Sequence, residues 1–265
     1  MKTTSPTEPA PAGPRIRDVP AVSRAVAILR LLGRSTTPQT LKAIAQELSM
    51  VNSTCLHILR VLVDEGLVKV DTGTKQYSLG VGMLALARSV IERNPFPTLV
   101  QPVLNRLSNS WGLTAIGVEI TGLDHMVVMA IARSQAPFSL HVDVGSRFPA
   151  LISATGRLVA AFTDVSDKEI ERRFRALRWD QPPDLPAWRA EVQAVRLRGF
   201  SIDRNTYISG IMVIAVPVFD AGGRMTHSLV AAGVADRFST KQSGALAKEM
   251  QAEAGNLSKH LSTYR

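Results

Sequence analysis

One cysteine, Cys55, stands in 265 residues. Neither an internal disulfide framework nor a cysteine-rich metal site can be built from it, and a reducing cytoplasm is the natural setting. Long apolar runs are missing too. The longest, "IMVIAVPVF" and "LVAAGVA", fall far short of the ~20 residues of a membrane-spanning helix, so a soluble chain with no membrane contact is expected. The first twenty residues carry five prolines and no apolar core of a secretory leader, and read as a disordered tail. Paired catalytic spacings such as H-E-x-x-H, G-x-S-x-G or a phosphate-cradling glycine loop are absent, and the five histidines show no ligand spacing. No cofactor and no metal is expected. His125 and His227 sit near turns, where solvent exposure is the simple reading, and His141 alternates with valines in a strand-like run.

What is present is positive charge. The formal net charge is +9, which favours a polyanionic partner. Residues 1–94 hold 12 Lys or Arg against 7 Asp or Glu, and residues 95–265 hold 19 against 15. The density is higher in the first third, although solvated basic faces explain such a bias as simply as nucleic acid does.

Pattern divides the chain near "ERNPFPTL", where Pro95 and Pro97 cannot continue the preceding helix. Upstream, "SRAVAILRLLG" predicts a helix capped by Ser23 and stopped by Gly33, with Val22, Val26, Leu29 and Leu32 as its apolar face. "TLKAIAQELS" predicts a second, capped by Thr40, with Leu41, Ile44, Ala45 and Leu48 on one side. A turn over residues 49–51 leads to a third, "NSTCLHILRVLVDEG", capped by Asn52 or Ser53, with Leu56, Leu59, Leu62 and Val63 inward. Ser53, Thr54, His57 and Arg60 are left to a partner. "LVKVDTGTKQYSLG" then alternates around a turn and predicts a hairpin with Lys69 and Lys75 near its tip. Three helices and a two-stranded wing make a winged helix-turn-helix. Capping alone also explains Asn52 and Ser53, and small three-helix units also mediate protein contacts.

The segments "AVSRAVAILRLL", "LKAIAQELSMVNSTCLHILRVLVDEGLVKVD", "QYSLG", "SATGRLVAAF" and "GFSIDRNTYISGIMVIAVPVFDAGG" resemble, in order, the IclR family of bacterial transcriptional regulators. The resemblance spans residues 21 to about 260. It implies an α+β chain: a winged helix-turn-helix DNA-binding domain over 21–80, a linker helix over 81–94, and an α/β effector-binding and oligomerisation domain with an antiparallel sheet over 95–265. It implies a DNA operator, a small-molecule effector, and assembly as a homodimer or dimer of dimers. His57 stands where relatives commonly carry Arg. The DNA contacts expected are Asn52, Ser53, Thr54, His57, Arg60, Lys69 and Lys75, with Arg15 and Arg17 of the tail entering the minor groove.

In the linker, Met83, Leu86, Ala87, Val90 and Ile91 recur at helical spacing, which suits either a second copy or the helix's own domain. Downstream, a helix "PTLVQPVLNRLSNSWG", strands "TAIGVEI", "HMVVMAIAR" and a run "FSLHVDVGSRFP" precede "SATGRLVAAF", a helix capped by Ser153 or Thr155. Two helices, three strands and a last helix from Thr240 complete a sheet flanked by helices. The resemblance places Phe138, Leu140, Ala154, Thr155, Asp203, Val213, Val230 and Ala232 at the effector pocket. Relatives often carry Cys at the position of Val213 and Ser at those of Val230 and Ala232. Methyl groups in their place suit an aromatic or otherwise apolar acid, while sheet core explains the same valines. The amides at the "SATG" helix start offer an anion site. Asp203 either accepts a hydrogen bond from the ligand or caps a turn. A regulator of, for instance, a catabolic operon is the reading taken. An enzyme tethered by its N-terminal domain is the alternative from another class, and a ligand-free architectural DNA binder is a third.

Overall fold

The computed structural model describes residues 19–134 and 142–263, apart from the side chain of Ile91. The described chain separates into two compact units, with the division between Arg93 and Asn94.

In the N-terminal unit, α1 (Pro20–Arg34) starts one turn earlier than Ser23. Proline suits a helix start because its missing N–H has no partner there anyway. Ser23 therefore lies inside the helix and caps nothing, and Gly33 is carried within it. The inward stripe is Ile28, Leu31 and Leu32, while Val22 and Val26 are exposed. Both faces of α1 are apolar, and periodicity could not tell which one packs.

A two-residue strand β1 (Gln39–Thr40) leads into α2 (Leu41–Glu47), capped as expected by the Thr40 hydroxyl, which accepts from Ala43 N at 3.2 Å. Ser49 takes φ +50 in the tight turn. Then α3 (Asn52–Asp64) has Val51 as its N-cap, with no side-chain cap from Asn52 or Ser53. Its buried residues are Cys55, Leu59 and Leu62; Leu56 and Val63 are half-buried. Cys55 is thus a small apolar core residue, its thiol pushed up by burial.

The wing is β2 (Val68–Val70) and β3 (Gln76–Leu79), antiparallel, with β1 added on the far side of β3. Asp71 holds the turn by accepting from Gly73 N and Thr74 N. At the wing's base, a Cβ on Gly80 would lie 2.3 Å from the Gly66 carbonyl oxygen, so the strand returns close under the end of α3. After it comes α4 (Gly82–Arg93), with Leu84, Leu86 and Val90 exposed.

The C-terminal unit opens with α5 (Phe96–Trp111), which has Pro97 in its first turn and Pro95 just before it. Next come β4 (Thr114–Thr121), β5 (His125–Ala132) and a three-residue β6 (Arg147–Pro149). Of the run from Phe138, only Val142 onward is described, and the strand is confined to β6. Helices α6 (Ser153–Phe162), α7 (Asp167–Arg175) and α8 (Leu185–Arg198) follow, then β7 (Ser201–Arg204), β8 (Ile211–Phe219), β9 (Met225–Val234) and α9 (Thr240–Leu261).

The six strands run in the order β6-β5-β4-β9-β8-β7, and every pair is antiparallel. Alternation along the strands sends side chains to two cores. On one face, α5 and α9 cover Met212, Ile214, Val216, Leu229 and Ala231. On the other, Ile116, Val118, Ala215 and Val230 belong to a core closed by α6, with α8 packed behind it. Neither Ser153 nor Thr155 caps α6; its N-cap is Ile152, and Ser153 takes φ +57.

Candidate functional site

Two surfaces combine polar groups in a way that packing alone does not require, one in each unit.

On α3 of the N-terminal unit, Asn52, Ser53, His57 and Arg60 are exposed and recur at helical spacing along one face, with Thr54 half-buried beside them. The opposite face carries Cys55, Leu59 and Leu62 into the core, which fixes the polar face outward. Lys69, in the middle of β2, and Lys75, at φ +55 where the wing turns into β3, are also exposed. Lys69 is therefore on the strand rather than at the tip. His57 has a second neighbourhood, since it borders an apolar surface groove with Ala21, Val22, Ile58 and Val61.

Against the α6 face of the C-terminal sheet lies a cavity of about 80 Å³. Its floor is Ile116, Val118, Met126, Val128, Val213, Val230 and Ala232 from four strands. Ile152, Ser153 and Thr155, the start of α6, form one wall, and Tyr207 and Ile208 another. The first α-helical bond of α6 is Gly156 N to Ile152 O at 2.8 Å, so the amides before it are among those a helix leaves to external partners. Ser153 is 4% exposed and its hydroxyl has no hydrogen-bond partner. An anion acceptor there would meet amide donors, the helix dipole and a free hydroxyl within an otherwise apolar chamber.

Beneath α6 is a buried pair, Arg157 and Asp203, 5% and 2% exposed, whose Nη1 and Oδ2 stand 4.0 Å apart. That is an ion-pair distance and too long for a hydrogen bond. Arg157 Nε and Nη1, Asp203 Oδ2 and the Ser201 hydroxyl all lack hydrogen-bond partners. Burial pulls the Arg157 guanidinium below its usual range, with the Asp203 charge opposing. The other carboxylate oxygen of Asp203 accepts from Thr206 N at 3.1 Å.

Comparison with known proteins places these features. Residues 88–259 match the family model of the bacterial transcriptional regulator IclR C-terminal domain, and residues 21–72 match that of the IclR helix-turn-helix domain. The chain belongs to the IclR family. Its relatives include the glycerol operon regulatory protein of Streptomyces griseus, 27% identical over 77% of this chain and 80% of that one. A solved IclR transcriptional regulator from Alicyclobacillus acidocaldarius is 26% identical and covers 92% of this chain and all of its own, with a TM-score of 0.76. An IclR homologue from Microbacterium hydrocarbonoxydans, solved with 4-hydroxybenzoate, shares the fold at 16% identity, with a TM-score of 0.75 over 92% of this chain and 99% of that one.

The family's members act as DNA-binding regulators of transcription with a C-terminal effector-binding domain, and they are not enzymes. No described helix is long and apolar enough to cross a membrane.

Of the residues carried over from IclR relatives, Thr155, Val213, Val230 and Ala232 meet at the cavity. Ala154 does not line it; it is fully buried in the core beside Leu158. Asp203 is not among the lining residues either; one of its carboxylate oxygens caps the turn at Thr206 and the other faces Arg157 at 4.0 Å. Phe138, Leu140, His141, Arg15 and Arg17 lie outside the described residues. Missed in the sequence were the sheet floor of Ile116, Val118, Met126 and Val128, and the walls Ser153, Tyr207 and Ile208. Period-2 alternation shows that a strand has an inward face. It does not say that part of that face stays uncovered.

His227 is a further correction. It stands within β9, stacked on Phe96 at 4.0 Å between ring centroids, with Nε2 buried and unpaired. Burial lowers its pKa to about 4, so it is a neutral, half-buried ring at neutral pH.

Proposed function

We propose that this IclR-family protein is an effector-responsive regulator whose ligand is a small organic acid with an apolar, ring-like body. The carrying observation is the start of α6, where helix amides and the unpaired Ser153 hydroxyl open on a chamber whose floor is entirely aliphatic side chains and Met126. The carboxylate sits at the helix start, beside Ser153 and Thr155. The body lies on Val213, Val230 and Ala232, where a hydroxyl-rich ligand would leave polar groups unpaired.

The DNA-facing set in this reading is Asn52, Ser53, Thr54, His57 and Arg60 on α3 with Lys69 and Lys75 on the wing. The copies pair as a homodimer or dimer of dimers, so that two recognition helices meet half-sites one DNA turn apart. The exposed Leu84, Leu86 and Val90 of α4 and Val22 and Val26 of α1 supply apolar surface for that contact. The setting is the cytoplasm, and the regulated genes include a catabolic operon. Ligand and operator are coupled by about 1–3 kcal/mol, a 5- to 150-fold change in operator affinity.

Calorimetric titration with benzoate, 4-hydroxybenzoate, hexanoate and acetate tests the effector half. The ring acids are expected to bind more tightly than acetate, and Val230→Ser to weaken benzoate roughly tenfold by leaving a hydroxyl partly unpaired, ~1–2 kcal/mol. Unchanged benzoate affinity in Val230→Ser would return Val230 to simple sheet core and overturn the pocket assignment.

A further inference from the structure

The cavity is small for the ligand class it suits. An apolar cavity that holds benzene measures ~150 Å³, about twice the 80 Å³ found here, so although the cavity has a mouth open to solvent, a ring-bearing acid is fully enclosed in it only if a wall moves. The floor and the α6 wall are not free to do so, while a further wall, Val142 and Phe148, belongs to the edge strand β6 and the loop before it. The floor belongs to the central strands β5, β4, β9 and β8, each paired on both sides. The start of α6 is seated hard on the loop before it, since a Cβ on Gly156 would lie 2.0 Å from the Leu151 carbonyl carbon and oxygen.

The wall formed by Asn205–Gly210 is attached differently. Its two ends are braced, and both take left-handed conformations, φ +64 at Asn205 and φ +80 at Gly210. Asn205 Oδ1 accepts from Gly210 N at 2.9 Å, and Asp203 accepts from Thr206 N. Between them the tip, which brings Tyr207 and Ile208 to the cavity, lies over the connector from α7 to α8. Asp180 N donates to Tyr207 O at 3.2 Å, Gln181 N to Thr206 O at 3.0 Å, and Ser209 N to the exposed Asp180 carboxylate at 2.8 Å. The Tyr207 ring meets Trp179 edge-on, 6.5 Å between centroids. Loop hydrogen bonds, with Ile211 N to Ile208 O at 3.2 Å and Ala235 N to Gly210 O at 2.8 Å near its C-terminal end, and the packing of Tyr207 at the margin of the core hold this wall, in contrast to the continuous strand pairing that holds the floor.

We propose that Asn205–Gly210 is the gate of the effector cavity, latched by Asp180 and Gln181, and that Tyr207 is its specificity-determining face. The gate swings from its braced ends, admits a ring, and closes with Tyr207 against it. The size of the ligand accepted is then set by where Tyr207 comes to rest. This rests on the acid-effector reading given above, and the two fail separately.

Hydrogen exchange of the full chain without ligand is the first test. The amides of Asp180, Gln181 and Ser209 are expected to exchange at least tenfold faster than those in the middle of β8, and Asp180→Ala to speed them roughly tenfold more while β8 is unchanged. Exchange as slow as in β8, or a rise spread equally over the sheet, overturns the gate. Stopped-flow binding of benzoate, followed by tryptophan fluorescence, is the second. Association and dissociation are both expected to quicken at least threefold in Asp180→Ala, and Tyr207→Leu to shift the benzoate-to-hexanoate affinity ratio at least fivefold toward hexanoate. Identical rates in wild type and Asp180→Ala overturn the gate and leave the effector reading intact. Absence of benzoate binding in both proteins counts against the ring-acid reading, and the exchange result then decides the gate alone.

Discussion

Nine of the twelve large apolar side chains that stay exposed among the described residues lie before Asn94: Val19, Val22, Val26, Val51, Val61, Val81, Leu84, Leu86 and Val90. The C-terminal unit leaves out only Val144, Leu197 and Ile208. It also has two cores, one on each face of a six-stranded sheet, where the N-terminal unit has a single cluster around Ile28, Ile44, Cys55 and Leu59. A unit of this small size buries a lower fraction of its surface, and much of what it leaves uncovered is apolar. Its polar groups on α3 and the wing point outward beside that apolar surface. The larger unit holds unpaired polar atoms inside, among them Ser153 Oγ, Arg157 Nε and Nη1 and Asp203 Oδ2. Recognition of a polyanion needs accessible donors, whereas capture of a small molecule needs an interior one. The two units differ accordingly.

The contrast can be attacked first at the buried pair. Asp203→Ala removes the carboxylate that pairs with Arg157 at 4.0 Å, and breaking a buried pair from one side costs about 3–5 kcal/mol. The double variant Arg157→Met, Asp203→Leu is expected to recover most of that loss. Urea unfolding of the three proteins measures both numbers, and a small effect of Asp203→Ala would show that the interior polar groups are better solvated than their burial implies.

In the N-terminal unit the matching operation is Leu59→Ala at a fully buried site of α3, with an expected loss of about 2–5 kcal/mol. With one core to draw on, that unit is expected to melt first and lose operator binding, while the C-terminal transition keeps its midpoint. A single shared transition in calorimetry would show that the units do not have separate stabilities.

The third effect depends on pH. His227 titrates near 4 when folded, below the ordinary 6.5, because burial against Phe96 disfavours its charged form. The unfolded chain therefore binds the proton first as pH falls. Stability is full above about pH 6.5 and declines as pH drops toward 4, by at most about 3 kcal/mol. His227→Gln is expected to flatten that decline in urea-unfolding midpoints read from pH 7 to pH 4. An unchanged slope would assign the acid sensitivity to other groups.

Local chemistry determined a good deal of this molecule. Thr40 before "LKAI" caps α2, "DTGT" turns the wing, Pro95 and Pro97 separate α4 from α5, and "DAGG" joins β8 to β9, because caps and turns are decided by residues within a few positions of one another. The short apolar runs "TAIGVEI", "HMVVMAIA" and "IMVIAVPVF", bounded by turn residues, likewise announce strands. The same reasoning erred where two local solutions compete. Ser23 offered a cap, but Pro20 had already begun the helix, and Asn52 and Ser53 offered caps to a helix whose N-cap is Val51. Which valines are core and which line a cavity was decided only in three dimensions. Val213 and Ala215 share a strand and a face, yet only Val213 meets open space, because α6 ends its cover at Ser153. Arg157 and Asp203, 46 positions apart in sequence, became a buried pair for the same reason. Long-range packing brings them together, and no spacing along the chain encodes a distance between a helix and the strand it covers.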